Sequence, residues 1–275
     1  MPLATRTLLA SIGLLMIGHG IQLTLLPLYA NQLGWSQTAI SLTGASHFSG
    51  FMLGTLIVPR ILSSAGYVRV FLSFTGVLAI VVLILGLYQS LFSWLCLRFI
   101  TGLSVVGIVL AAESWLNAST EPGNRGKTLS VYAVTTLFGM ALGQMIVGFI
   151  DFEQLFQVCA ILLLMSLIPI GLFCNGEPEH PKFYPPSFKD VFVLPRFVTV
   201  AIVLHAIMSG SIWSVAPLFG DERGLNSWEI GLMMNAIVLG GAVGQFPIGW
   251  LSDKYDKRSI LLSVVTLCIV VVSLI

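Results

Sequence analysis

Residues 70–88, VFLSFTGVLAIVVLILGLY, run for nineteen positions without a charged side chain. A helix needs about 20 apolar residues to cross the hydrocarbon core of a bilayer. Stretches of this character recur at 7–29, 38–59, 69–89, 91–117, 127–150, 154–175, 194–219, 228–251 and 259–275. In lipid, each segment must satisfy its own backbone N–H and C=O groups, so helices are expected throughout. Composition agrees. The chain is 56% hydrophobic and 9% charged, whereas a soluble domain is about a quarter charged. The expected fold class is therefore an all-α polytopic membrane protein of about nine spans, with the lipid bilayer as its solvent. The first run is too long for a signal-peptide core, contains Pro27 and lacks a small-x-small cleavage site, so it reads as a retained span.

The connections are short and carry turn and cap residues: Asn31, Gly34 and Ser36; Pro122, Gly123 and Asn124; Asn226 and Ser227. One segment differs. GEPEHPKFYPPSFKD (176–190) holds four prolines and six of the chain's scarce ionisable residues, and cannot be a membrane helix. The expected organisation is a six-helix bundle over 1–175, a cytoplasmic Pro-rich linker over 176–192 and a partial second bundle over 193–275.

Lys and Arg favour the cytoplasmic side of short loops. With the N-terminus inside, the inner loops collect Arg6, Arg60, Arg69, Arg125, Lys127, Lys182, Lys189, Arg196, Lys254, Lys257 and Arg258. The outer side collects only Arg223, and Arg98 falls within the fourth span. A bacterial inner membrane with a cytoplasmic N-terminus is the expected placement.

Other classes are disfavoured. A net charge of +1 with no basic stripe beside an aromatic platform gives no reason to expect a nucleic-acid partner. Cys96, Cys159, Cys174 and Cys268 sit in or beside apolar runs without C-x-x-C spacing, and read as small hydrophobes rather than a disulfide framework or metal site. Phosphate loops, H-E-x-x-H, G-x-S-x-G and clustered aspartates are missing, so an enzyme is not expected and no cofactor is implied.

The chain also repeats itself. PLYANQLGWSQTAISL (27–42) aligns with PLFGDERGLNSWEIGL (217–232) at an offset of 190 residues. Pro27 meets Pro217, Gly34 meets Gly224, Ile40 meets Ile230 and Leu42 meets Leu232. Further on, Gly50 meets Gly240 and Gly54 meets Gly244. Both copies cross in the same direction, and parallel repeats of six helices are a recurring transporter architecture. The second unit stops about three helices short of the first. The expectation is a C-terminally truncated record of a twelve-helix protein.

The repeat places GWLSDKYDKR (249–258) in a short inner loop. Gly249, Leu251, Asp253, Lys254, Asp256, Lys257 and Arg258 match G-x-L-x-D-[RK]-x-[GD]-[RK]-[RK]. Arg98 and Gly102 fit R-x-x-x-G in the fourth span. On these residues the chain resembles the major facilitator superfamily, and within it the bacterial YcaD-like branch. The resemblance implies the fold of that family and a secondary active transporter moving a small solute by alternating access, with a small-molecule substrate, protons as an open second partner and a monomeric state. It also implies a cytoplasmic gate built from Gly249, Asp253, Lys254, Asp256, Lys257 and Arg258, with Arg125 at the start of the fifth span facing Asp253. The first-half loop is degraded, with Ser63 where the offset expects Asp. The fifth span has Gly139, Gly143 and Gly148 but no Gly-Pro pair, which makes drug–proton antiport a poorer fit. The alternatives are a sensor or scaffold that keeps the fold without transport and, further off, an intramembrane enzyme.

Ionisable residues inside a span are functional candidates. Arg98 reads as an anchor for an anionic solute, a partner for a proton-carrying acid, or an interhelical hydrogen bonder. Glu113 lies fifteen residues further on, about 22 Å along the same helix. It reads as a proton site or as a partner of Arg125 or Lys127 at the inner end. His19 and Gln22, three residues apart, share one helix face. Gln144, His205, Trp213, Asn235 and Gln245 are further candidates for the solute pathway. His47, among Ser46, Gly50 and Gly54, reads as part of a small-residue packing face, as do the glycines at 139, 143, 240 and 244.

Overall fold

The structure is a computed structural model and describes residues 3–173, 178–179 and 196–273. The helices are α1 (Leu3–Gln32), α2 (Gln37–Ala65), α3 (Tyr67–Leu87), α4 (Leu91–Ser119), α5 (Arg125–Ile146), α6 (Phe152–Met165), α7 (Leu167–Phe173), α8 (Arg196–Glu222), α9 (Ser227–Lys254) and α10 (Lys257–Ser273). No strand occurs among the described residues. Seven helices, counting α6 and α7 as one, are long and apolar enough to cross a membrane. The 27 residues of α8 reach about 40 Å, and α10 is shorter at 17 residues. The linker expected over 176–192 lies outside the described residues apart from 178–179.

One sequence expectation is refined and one corrected. The span expected over 154–175 is present as a single apolar stretch, Phe152–Phe173, with a local break at Ser166 between α6 and α7. Pro169 accounts for the break: it has no N–H, and its ring crowds the carbonyl four residues earlier, that of Met165. Ser166 Oγ donates to the Leu163 carbonyl at 2.6 Å and ties the joint. The span expected to end at 59 instead continues through Pro59 to Ala65. Pro27, Pro217 and Pro247 also lie inside helices, a placement that membrane bundles tolerate because neighbouring groups re-satisfy the freed carbonyls.

The 190-residue repeat is visible in backbone geometry. Gly34 and Gly224 both hold φ at 78°, a left-handed value that favours glycine. In the first turn Gly34 N–H donates to the Asn31 carbonyl at 2.9 Å, and in the second Gly224 N–H donates to that of Asp221 at 2.9 Å. Ser36 then caps α2 by accepting from Ala39 N–H at 3.3 Å. Asn226, its counterpart, caps α9 by accepting from Glu229 N–H at 3.0 Å, and Glu229 completes a capping box.

Apolar side chains do not drive lipid-immersed helices together, so close backbone contact must. Gly50 of α2 faces the Phe99 carbonyl of α4, and Gly102 of α4 faces the His47 carbonyl of α2. Gly20 faces the Met140 carbonyl, and Gly143 faces that of Ile17, so α1 and α5 meet in the same way. The packing expected of Gly50, Gly54, Gly139 and Gly143 is present, whereas among the described residues nothing packs on Gly240 or Gly244. A Cβ at either would meet nothing within 4 Å. The contacts of α9 with α5 lie nearer its start, where Gly148 meets Trp228, Gly231 meets the Gln144 carbonyl and Asn235 Nδ2 donates to the Ala141 carbonyl at 2.9 Å.

At the bundle end carrying Asn31, aromatic rings form a buried cluster. Trp94 is fully buried. It lies near parallel to Tyr29 (6.3 Å, 19°) and edge-on to Trp35 (5.1 Å, 69°). Its Nε1–H points at the carbonyls of Tyr88 (2.8 Å) and Leu85 (3.1 Å). Large apolar side chains such as Ile80, Phe138, Phe149 and Ile161 are exposed around the bundle, as lipid contact requires.

Candidate functional site

A cavity of about 180 Å³ opens between α1, α2, α4, α5 and α8. His19 and Gln22 reach it from near the middle of α1, Thr43 and His47 from α2, Arg98 from α4, and Trp213 and Ser214 from α8. Both repeat units thus contribute to one wall. The rest is apolar, with Leu26, Ile40, Phe51, Val105 and Met140 among the lining residues. No carboxylate lines the cavity among the described residues.

The polar groups here are under-used. Gln22 is 3% exposed, and its Nε2 has no hydrogen-bond partner. The same holds for Arg98 Nε and His19 Nδ1. His47 is held firmly. Thr101 Oγ1 donates its single proton to the Arg98 carbonyl at 2.7 Å, so its oxygen must accept from His47 Nδ1–H at 2.9 Å. The other ring nitrogen of His47 is left uncommitted.

Four candidates from the sequence therefore meet: His19, Gln22, Arg98 and Trp213. Others stand elsewhere. Gln144 is fully buried near α1 and α9 and does not line the cavity. Asn235 is spent on the Ala141 carbonyl. Glu113 accepts from Tyr132 Oη at 3.2 Å, while Arg125 Nε donates to the Thr120 carbonyl at 3.4 Å. The side chains of His205, Gln245, Gly249, Asp253 and Lys257 lie outside the described residues. Asp256 caps α10, accepting from Ser259 N–H at 3.0 Å; Lys254 and Arg258 are exposed. Sequence reasoning missed His47 and Thr43 as lining residues. Their signal was present, as two polar residues four apart in one span share a face.

At the Asn31 end the two repeat units are fastened together. Asn31 Nδ2 donates to Asp221 Oδ2 at 2.6 Å, and Gln37 Nε2 donates to Glu222 Oε1. Asn31 and Asp221 are equivalent positions, 190 residues apart.

Helices of spanning length, an internal repeat and a polar cavity shared between its copies define a polytopic membrane protein of the transporter-fold type. The family description Major Facilitator Superfamily matches residues 8–275, and the chain belongs to that family. It is similar to the "Uncharacterized MFS-type transporter YcaD" of Escherichia coli O139:H28 (strain E24377A / ETEC), 27% identical over 259 residues, covering 92% of this chain and 68% of that protein. The YcaD of Shigella flexneri serotype 5b (strain 8401) matches to the same extent. Among solved structures it is similar to a bacterial homolog of the human lysosomal transporter Spinster, in an inward-facing and occupied conformation. The TM-score is 0.73 at 18% identity, over 92% of this chain and 62% of that one. A D-xylose-proton symporter gives a TM-score of 0.58 at 15% identity, over 91% of this chain and 69% of that one. The chain thus spans 62% to 69% of the length of these relatives.

Proposed function

We propose that the protein is a secondary active transporter that moves a small solute through the Arg98 cavity by rocking its two repeat units against each other. One observation carries this reading: a polar cavity lies within an apolar bundle, lined from both units, with the units bridged by side-chain bonds at the Asn31 end. With a cytoplasmic N-terminus, as the basic loops favour, that geometry is the inward-facing state in a bacterial inner membrane. Arg98, His19, Gln22 and Trp213 line the solute pathway, and Glu113 serves proton movement or the inner end. The 249–258 loop with Arg125 forms the inner gate. A similar fold occurs in a proton symporter, which supports proton coupling here.

The decisive measurement is flux. Purified full chain in sealed vesicles, given a proton gradient, is expected to take up labelled small solutes and to acidify an internal dye. Saturable binding without flux would establish the sensor or scaffold reading instead.

Both ends of the cycle are open to test. Asp221→Ala combined with Glu222→Ala removes the fastening at the Asn31 end. Each bond is exposed and worth about 1 kcal/mol at most, so a several-fold rise in outside labelling of a Thr43→Cys reporter is expected. Unchanged labelling refutes the latch. Asp253→Asn is expected to loosen the inner gate and to raise labelling from the cytoplasmic side. Equal labelling with and without the substitution counts against that gate.

A further inference from the structure

The cavity has a cationic group and no anion to match it. None of the described lining residues is an acid; Glu153, Asp221, Glu222, Glu229 and Asp253 stand within three residues of their helix ends, and Glu113 is the one acid deeper in a described helix. It stands about 22 Å along α4 from Arg98 and already accepts from Tyr132. Arg98 is partly buried, with its Nε buried and unpartnered, and a guanidinium drawn even partly out of water without a counter-charge is costly. Gln22 adds a buried amide whose Nε2 lies near the Cys159 sulfur without closing a full hydrogen bond. With its Nδ1–H on Thr101, His47 offers the cavity a neutral acceptor nitrogen but no negative charge. The remaining wall, including Leu26, Ile40, Phe51 and Met140, is apolar. A site with a charged end and an apolar body suits a solute built the same way.

We propose that the solute is a small organic monoanion, its carboxylate held by the Arg98 guanidinium and the Gln22 amide and its apolar body enclosed by the walls of α1, α2 and α5. This rests on the transporter reading for its meaning but not for its test. A planar carboxylate accepts two parallel N–H bonds from a guanidinium. Neither a sugar nor a cation would satisfy Arg98.

The experiment compares each acid with its own amide. Straight-chain carboxylates of two to eight carbons, and benzoate, are titrated into the purified full chain alongside the matching amides and inorganic phosphate. Intrinsic tryptophan fluorescence reports binding, since Trp213 lines the cavity. At least one acid is expected to bind tenfold or more tightly than its amide. Arg98→Gln is expected to weaken that acid about 10- to 100-fold, with Arg98→Lys between the two. Should Arg98→Gln fail to give a monodisperse protein, the acid–amide comparison on the unaltered chain decides alone. Equal binding of acid and amide, binding of phosphate alone, or binding of none overturns the proposal. Uptake of a neutral or cationic solute with no response to any acid also overturns it and leaves the transporter reading standing. An acid that binds through Arg98 yet is never moved across vesicles supports the site and removes the transporter reading.

Discussion

Gly102→Val should leave almost no folded protein. A Cβ at this position would run into the backbone carbonyl of His47, with His47 C and Phe51 N both at 2.8 Å. Backbone atoms cannot swing aside as a side-chain tip can, so α2 and α4 would have to separate as rigid bodies. The contact is reciprocal. Gly50 on α2 would strike the Phe99 carbonyl, with Phe99 C at 2.8 Å. Overpacking commonly costs about 1–3 kcal/mol and occasionally more, and a clash between two backbones belongs at the top of that range. His47 would be carried off with α2, breaking its bond to Thr101 on α4. The measurement is the monodisperse fraction in mild detergent, with Gly76→Ala as control because a Cβ there meets nothing within 4 Å. A valine variant that elutes and melts like the control would show that α2 and α4 are not held by this contact.

Trp94→Ala should lower the melting temperature sharply while leaving the cavity intact. The indole is fully buried, lies between Tyr29 and Trp35, and bonds the carbonyls that end α3. Removing a buried Trp costs about 3–5 kcal/mol. Trp94→Phe keeps ring contacts and gives up only the N–H, so it should fall between the alanine variant and the unaltered chain. Unfolding followed by near-UV circular dichroism in detergent reads the order of the three. If the alanine and phenylalanine variants melted together, ring packing would contribute little and the hydrogen bonds would account for the loss.

How far the sequence disclosed this arrangement differs from feature to feature. The spans were legible because lipid leaves helices as the simplest solution for long apolar runs. The repeat was legible through Gly34 and Gly224, since a left-handed turn constrains residue choice strongly. The division at Ser166 was missed because proline within a membrane helix has no fixed outcome. Pro59 is absorbed, whereas Pro169 follows a break. The cavity was partly legible. A charge in a span, as at Arg98, announces itself by its cost. His47 did not, because its neighbours at Gly50 and Gly54 give the same pattern as a packing face. It serves both purposes, with its backbone packed against Gly102 and its ring on the cavity. Gln144 and Asn235 misled for the opposite reason: an amide in a span has the same composition signal whether it faces a passage or a neighbouring backbone, as Asn235 does.

The bond from Asn31 to Asp221 joins equivalent positions of the two copies, 2.6 Å apart. Were the copies identical, this place would bring together two amides or two carboxylates. A pair of aspartates so close would repel unless one held a proton. Divergence at this one site turns a self-encounter into a donor and an acceptor. The halves of this molecule are therefore no longer interchangeable: each has become the other's complement.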